Sequence, residues 1–167
     1  MLIILGNILS FLGNICNLLS TRAKTYKNTL LIQCINSFLC VIACICLEGY
    51  SGIIVNTIAT LRNLCCALLK PTKLLKIILV CSVIIFGIIF MDKTIYGLLP
   101  IIASAYYSIV MMTTNDTVKL KTALAINNFL WVIYGLIILD FASVCFKSLT
   151  IISCIQIIIK NKKQENF

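Results

Sequence analysis

The chain reads as long apolar runs broken by short clusters of charge, Pro and Gly. Cut at that punctuation, it falls into seven segments, approximately residues 2–20, 29–47, 50–69, 74–91, 94–112, 120–139 and 141–159. A bilayer core of about 30 Å takes roughly 17 to 25 helical residues to cross, so each segment is predicted to be a transmembrane helix. The joints are short: Glu48 and Gly49 connect the second and third helices, and Asp140 alone separates the sixth from the seventh. Such joints leave antiparallel neighbours and no room for a domain outside the membrane. The first segment has neither a positive leading region nor a small-residue cleavage site, and it is expected to be retained rather than removed as a signal peptide.

The few polar positions inside these runs are ordered. In the first helix Asn7, Ser10, Asn14 and Asn17 recur at intervals of three, four and three, which is one stripe of an α-helix. Gln33, Asn36 or Ser37, Cys40 and Cys44 make a similar line in the second helix, and Asn127, Trp131 and Tyr134 do so in the sixth. The fifth carries Tyr96, Ser104, Tyr107 and Ser108, and its Pro100 is expected to free a backbone carbonyl that a neighbour, a water or a ligand must satisfy. In the third helix Asn56, Thr60 and Asn63 share a face with Arg62 beside them. An arginine costs about 2.5–3.5 kcal/mol at a helix centre, so Arg62 is expected to face protein or water, the alternative being to snorkel to the interface. Lys147 is expected to reach the outer surface or to pair with Asp140 or Glu48. Two readings fit the stripes: hydrogen-bonding glue between helices, worth about 0.6 kcal/mol per bond, or the lining of a shared polar cavity.

An internal similarity organises the helices. Ile35-Asn36-Ser37-Phe38-Leu39-Cys40-Val41-Ile42 in the second helix matches Ile126-Asn127-Asn128-Phe129-Leu130-Trp131-Val132-Ile133 in the sixth. Each copy leads to an acidic turn, Glu48 or Asp140, and then to another apolar helix ending in lysine. Helices one to three therefore stand in register with helices five to seven, and the odd fourth helix lets both copies run in the same direction, a 3+1+3 parallel repeat. The predicted fold class is all-α integral membrane. Its parts are a first triple-helix bundle (1–73), a linker transmembrane helix (74–93) and a second bundle with a short tail (94–167). The linker, featureless apart from Ser82 and Gly87, suits a lipid-facing spacer.

Composition and charge sharpen this picture. Of 167 residues, 61% are hydrophobic and 11% charged, more apolar surface than a soluble domain of this length can hide, so the expected surroundings are a lipid bilayer. The net charge of +9 does not indicate nucleic acid, because the cations cluster at the ends of apolar runs. Arg22, Lys24, Lys27, Lys70, Lys73, Lys76, Lys119, Lys121, Lys160, Lys162 and Lys163 fall on one side, and Glu48, Asp92, Lys93 and Asp140 on the other. By the positive-inside rule the N-terminus is outside and the C-terminus cytoplasmic. The ten cysteines lie within apolar segments and are expected to pack as small hydrophobes, with no metal and no cofactor. With no histidine and no carboxylate inside a helix, the chain lacks a general base for hydrolysis and the buried acid of proton-coupled transport, so it is not expected to be an enzyme. Facilitated diffusion needs neither.

Arg22, Lys24 and Gln33, then Glu48-Gly49-Tyr50 with Asn56 and Arg62-Asn63, then Leu98-Leu99-Pro100-Ile101 and Trp131-Val132-Ile133-Tyr134, resemble the YgjV-type family of bacterial inner-membrane proteins over nearly the whole chain. The resemblance implies the bacterial inner (plasma) membrane. The 3+1+3 plan is in turn distantly similar to that of SWEET and PQ-loop transporters, which implies a substrate cavity between two triple-helix bundles. In those transporters an asparagine of each third helix contacts substrate; Asn56 matches the first, and Lys147 or Ser148 stands at the second. The first helix has no proline and the chain no Pro-Gln pair, both departures from that group. The expected function is a small-solute transporter or facilitator, with a non-transporting scaffold as the alternative and a homo-oligomer compatible with either. Asn36, Asn56, Asn63 and Asn127 would hydrogen-bond a polar solute, Trp131 would stack on it, and Arg62 would hold an anionic group or a structural carbonyl.

Overall fold

The structure, a computed structural model, describes residues 1–21, 23, 25–69, 72–92, 94–114 and 117–165. Among these residues seven α-helices follow in order: α1 (Leu2–Ser20), α2 (Tyr26–Cys46), α3 (Tyr50–Leu68), α4 (Lys73–Ile89), α5 (Leu98–Thr113), α6 (Thr117–Ile137) and α7 (Phe141–Glu165), with a 3-10 turn (Ile95–Gly97) leading into α5. Six helical stretches are long and apolar enough to cross a membrane. The seventh helix, α4, has 17 residues, about 25 Å at the α-helical rise, and lies at the short end of the spanning range.

Local chemistry sets where the helices begin. The Thr25 hydroxyl accepts the Asn28 N–H (3.2 Å) and so starts α2 ahead of the apolar run, and the Thr72 hydroxyl accepts the Leu75 N–H (3.3 Å) at α4. The Asp140 carboxylate accepts the Ser143 N–H (2.9 Å) at the start of α7. Pro100 is the third residue of α5, where the first four N–H groups have no intrahelical partner. It therefore removes no hydrogen bond and frees no carbonyl, contrary to the sequence expectation.

The turns that end α2 and α6 are alike. Glu48 (φ 56°) and Leu139 (φ 59°) are both left-handed, and the following N–H closes the same bond, Gly49 to the Cys44 carbonyl (3.0 Å) and Asp140 to that of Gly135 (2.8 Å). The register that sets Asn36 on Asn127 sets Glu48 on Leu139 and Gly49 on Asp140. It is the backbone shape of the turn that recurs, and the two acids do not coincide as the sequence suggested.

Neighbouring helices close a ring in chain order. α2 packs between α1 and α3, α6 between α5 and α7, and the ring is joined by contacts of α3 with α5 and of α7 with α1. At the second joint Phe11 meets Phe146 edge-on, with ring centroids 5.1 Å apart. Beside them the Asn7 amide donates to the Leu139 carbonyl and accepts the Ala142 N–H, each at 3.1 Å. α4 lies outside the ring against α3 and α5, burying Leu79, Val83 and Gly87. A Cβ on Gly87 would stand 2.8 Å from Ile101, so that helix pair is as close as glycine permits.

The polarity of the molecule is inverted relative to a soluble bundle. Ile3, Phe38, Leu61, Ile77, Phe129 and Ile152 face outward and are each more than half exposed, whereas Ser10, Asn14, Asn63 and Asn128 are buried. An apolar surface of this extent is matched by acyl chains and not by water.

Candidate functional site

The inward polar side chains meet in one buried cavity of about 70 Å³, room for on the order of five waters. Every helix of the ring contributes to its wall: Asn17 from α1, Gln33 and Asn36 from α2, Asn56, Arg62 and Asn63 from α3, Ser104 and Tyr107 from α5, Asn127 and Trp131 from α6, and Lys147 from α7. All six residues expected from the sequence to line a cavity, Asn36, Asn56, Arg62, Asn63, Asn127 and Trp131, stand on this one wall. Of the two readings of the polar stripes, the geometry is that of a cavity as well as of packing.

Arg62 is 3% exposed and does not snorkel. Its Nε and Nη2 both donate to the Asn63 side-chain carbonyl (3.1 and 3.0 Å), its Nη1 donates to the Ser108 hydroxyl, and the guanidinium lies 5.7 Å from the Tyr107 ring centroid. Ser108 donates in turn to the Ser104 carbonyl at 2.5 Å. The guanidinium thus ties α3 to α5 at the joint between the two helices. Asn56 donates to the Gly52 carbonyl one turn back (2.9 Å).

Lys147 corrects the sequence reading. It neither reaches the outer surface nor pairs with Asp140 or Glu48, but points inward at 8% exposure. Its ammonium donates to the Ser143 hydroxyl and to the Asn14 side-chain carbonyl (3.3 Å), and lies 5.2 Å from the centroid of the Trp131 ring. Asn14 passes the polarity on: its amide donates to Ser10 (3.1 Å), whose hydroxyl donates to the Asp140 carboxylate (2.8 Å). Ammonium and carboxylate are therefore linked through two neutral side chains across the α1–α7 joint. Asp140, just before α7, and Ser143 and Lys147 within it follow a helical spacing visible in the sequence; that α1 would present Asn14 to them was not.

Apolar layers flank the cavity on either side. Toward the lysine-rich loops, Leu30, Cys66, Tyr107, Met111, Leu124 and Cys154 pack together. Toward the acidic turns, Val55, Ile101, Ala103, Trp131 and Tyr134 do so, with the Trp131 and Tyr134 rings edge to face at 5.8 Å. A latch missed by sequence reasoning holds this second layer. The Tyr134 hydroxyl donates to the Asp92 carboxylate (2.8 Å) and accepts the Gly52 N–H (3.3 Å), Asp92 also accepts the Tyr50 N–H (2.9 Å), and the Ser51 hydroxyl accepts the Asp92 N–H (2.8 Å). The loop after α4 thereby joins the start of α3 to α6 across the ring. Above it Glu48, Tyr50, Asp92, Tyr96 and Tyr134 line an open vestibule.

The cysteines are unpaired. Cys40 and Cys44 are buried on the inner side of α2, where Cys44 accepts from the Asn56 amide (3.8 Å), whereas Cys81 and Cys145 face outward.

No curated protein and no solved structure matches the chain. The profile of the Imp-YgjV family, described as bacterial inner membrane protein, matches residues 4–165, and the chain belongs to that family.

Proposed function

We propose that the protein is a small-solute transporter or facilitator of the bacterial inner membrane, carrying its solute through the cavity at the centre of the helix ring. The observation that carries this reading is the cavity itself: six helices spend their scarce polar side chains on a space between two apolar layers, an arrangement suited to a carrier. In this reading residues 1–73 and 94–167 are like-oriented triple-helix bundles that rock against each other, with α4 (within 74–93) as the linker, in the manner of SWEET-type carriers. Three local facts favour it: the matching turns after α2 and α6, the two ring joints that each pair a helix from either half, and the register that sets Asn56 on Lys147, each bonding to the residue four before it. The cation-rich loops lie in the cytoplasm and the N-terminus outside. Asn36, Asn56, Asn63, Asn127, Trp131 and Arg62 contact the solute.

A scaffold role is the second reading, and one observation favours it: among the described residues no buried side-chain nitrogen or oxygen lacks a hydrogen-bond partner, as packing alone would require. A metabolite-library thermal-shift screen on the purified protein, followed by uptake of each hit into proteoliposomes, separates the two. A hit whose uptake is lost in Arg62→Ala supports transport; no hit and no uptake support the scaffold.

A further inference from the structure

We infer that the cavity is an anion site, and that its solute is a small anion of a few heavy atoms, a carboxylate or an inorganic monoanion, held at the Lys147 ammonium. The inference rests on the transporter reading for its biological role, but the site is argued from the wall alone. Lysine is costly to bury in a membrane, and in such places it ordinarily sits against a carboxylate. The described partners of Lys147, Asn14, Ser143 and the Trp131 ring, are all neutral. They take two of the three ammonium donors and one face of the cation, and the side chain lines the cavity.

The orientation of the surrounding groups fits a cation that seeks an anion. Asn14 turns its carbonyl to Lys147 because its amide is committed to the Ser10 carbonyl and hydroxyl. The carboxylate that ends this chain, Asp140, is turned away from the cavity, one oxygen held by Ser10 and the other by the Ser143 N–H. Arg62 is a second cation on the same wall, whereas no Asp or Glu is among the described lining residues. The rest of the wall is neutral, with the amides of Asn17, Gln33, Asn36 and Asn127 and the hydroxyls of Ser37 and Tyr107 among apolar side chains, groups that accommodate a desolvated anion through N–H and O–H donors without fixing its shape. The volume of about 70 Å³ is well below the roughly 300 Å³ at which pockets for drug-sized ligands begin, so the solute is small.

Trp131 is the chain's one tryptophan and lies over Lys147, so it reports on the site without a known ligand. The test is quenching of Trp131 fluorescence in purified protein by iodide and by caesium at equal ionic strength, in a gluconate background. The expected result is a ratio of iodide to caesium quenching constants several-fold above that of free N-acetyltryptophanamide, lowered by competing formate or acetate. The preference should persist in Lys147→Arg and vanish in Lys147→Gln. A ratio in the unaltered protein no higher than that of N-acetyltryptophanamide, a result that needs no variant to fold, would overturn the site, as would an undiminished iodide preference in Lys147→Gln. Anion flux in proteoliposomes is measured separately. Iodide preference without flux sustains the site and removes the transport reading, whereas uptake of an uncharged solute without iodide preference sustains transport and removes the anion.

Discussion

Replacing Tyr134 with Phe removes one oxygen from the latch and little else, because the ring stays in its apolar layer. The lost hydroxyl donates to the Asp92 carboxylate at 2.8 Å and accepts the Gly52 N–H at 3.3 Å. A hydrogen bond to a charged group contributes about 1.5–3 kcal/mol net, and a neutral one about 0.5–1.5. Asp92 keeps the Tyr50 N–H, so the carboxylate is not stranded, and the expected loss is about 2–3 kcal/mol, the lower part of the roughly 2–4.5 kcal/mol to which these ranges add. If the latch breaks when the vestibule opens to the cavity, the open state gains on the closed one by about 30- to 150-fold, at 1.4 kcal/mol per factor of ten. Trp131, next to Tyr134 and 9% exposed, then becomes accessible. Acrylamide quenching of its fluorescence should rise sharply in Tyr134→Phe and by an intermediate amount in Asp92→Asn. Quenching identical to that of the unaltered protein in both variants would refute the assignment of these groups to a gate.

Arg62→Ala strips donors from Asn63 and Ser108 and should lower uptake of an identified solute by at least tenfold at equal expression; Arg62→Lys, which cannot make the forked contact, should recover only part of it. Gly52→Ala puts a Cβ 2.7 Å from the Cys44 sulfur and should cost about 1–3 kcal/mol of stability, with a thermal-denaturation cycle showing partial recovery in the double variant Gly52→Ala/Cys44→Ala. Leu139→Gly relieves a left-handed residue at φ 59° and should raise the melting temperature, a gain of about 0.5–1 kcal/mol after glycine's extra chain entropy is subtracted. Reporter fusions after Asp92 and after Lys163 should fall on opposite faces of the membrane.

The helices were legible in the sequence because bilayer thickness sets their length, and the stripes because an α-helix repeats every three to four residues. Arg62 was legible by the cost of its depth. What escaped depends on long-range partners or on where a helix starts. Pro100 was misread because the 3-10 turn before it, which makes it a first-turn residue, leaves no mark in the hydrophobic pattern. Lys147 was misread because its partner Asn14 lies on the first helix and reaches it only when α1 and α7 close the ring. The bond from Tyr134 to Asp92 joins a helix to a distant loop, and no spacing announces it.

The central claim, a space inside the ring that opens to each face in turn, is tested most directly at Cys40, which lies in the cavity wall. In a cysteine-free background carrying Cys40 alone, a membrane-impermeant anionic methanethiosulfonate should modify it from either side of oriented vesicles, and a bound solute should protect it. A control with Cys154 alone, packed in the lysine-end layer, should stay unmodified. Cys40 resistant from both sides, with the protein folded, would contradict the account.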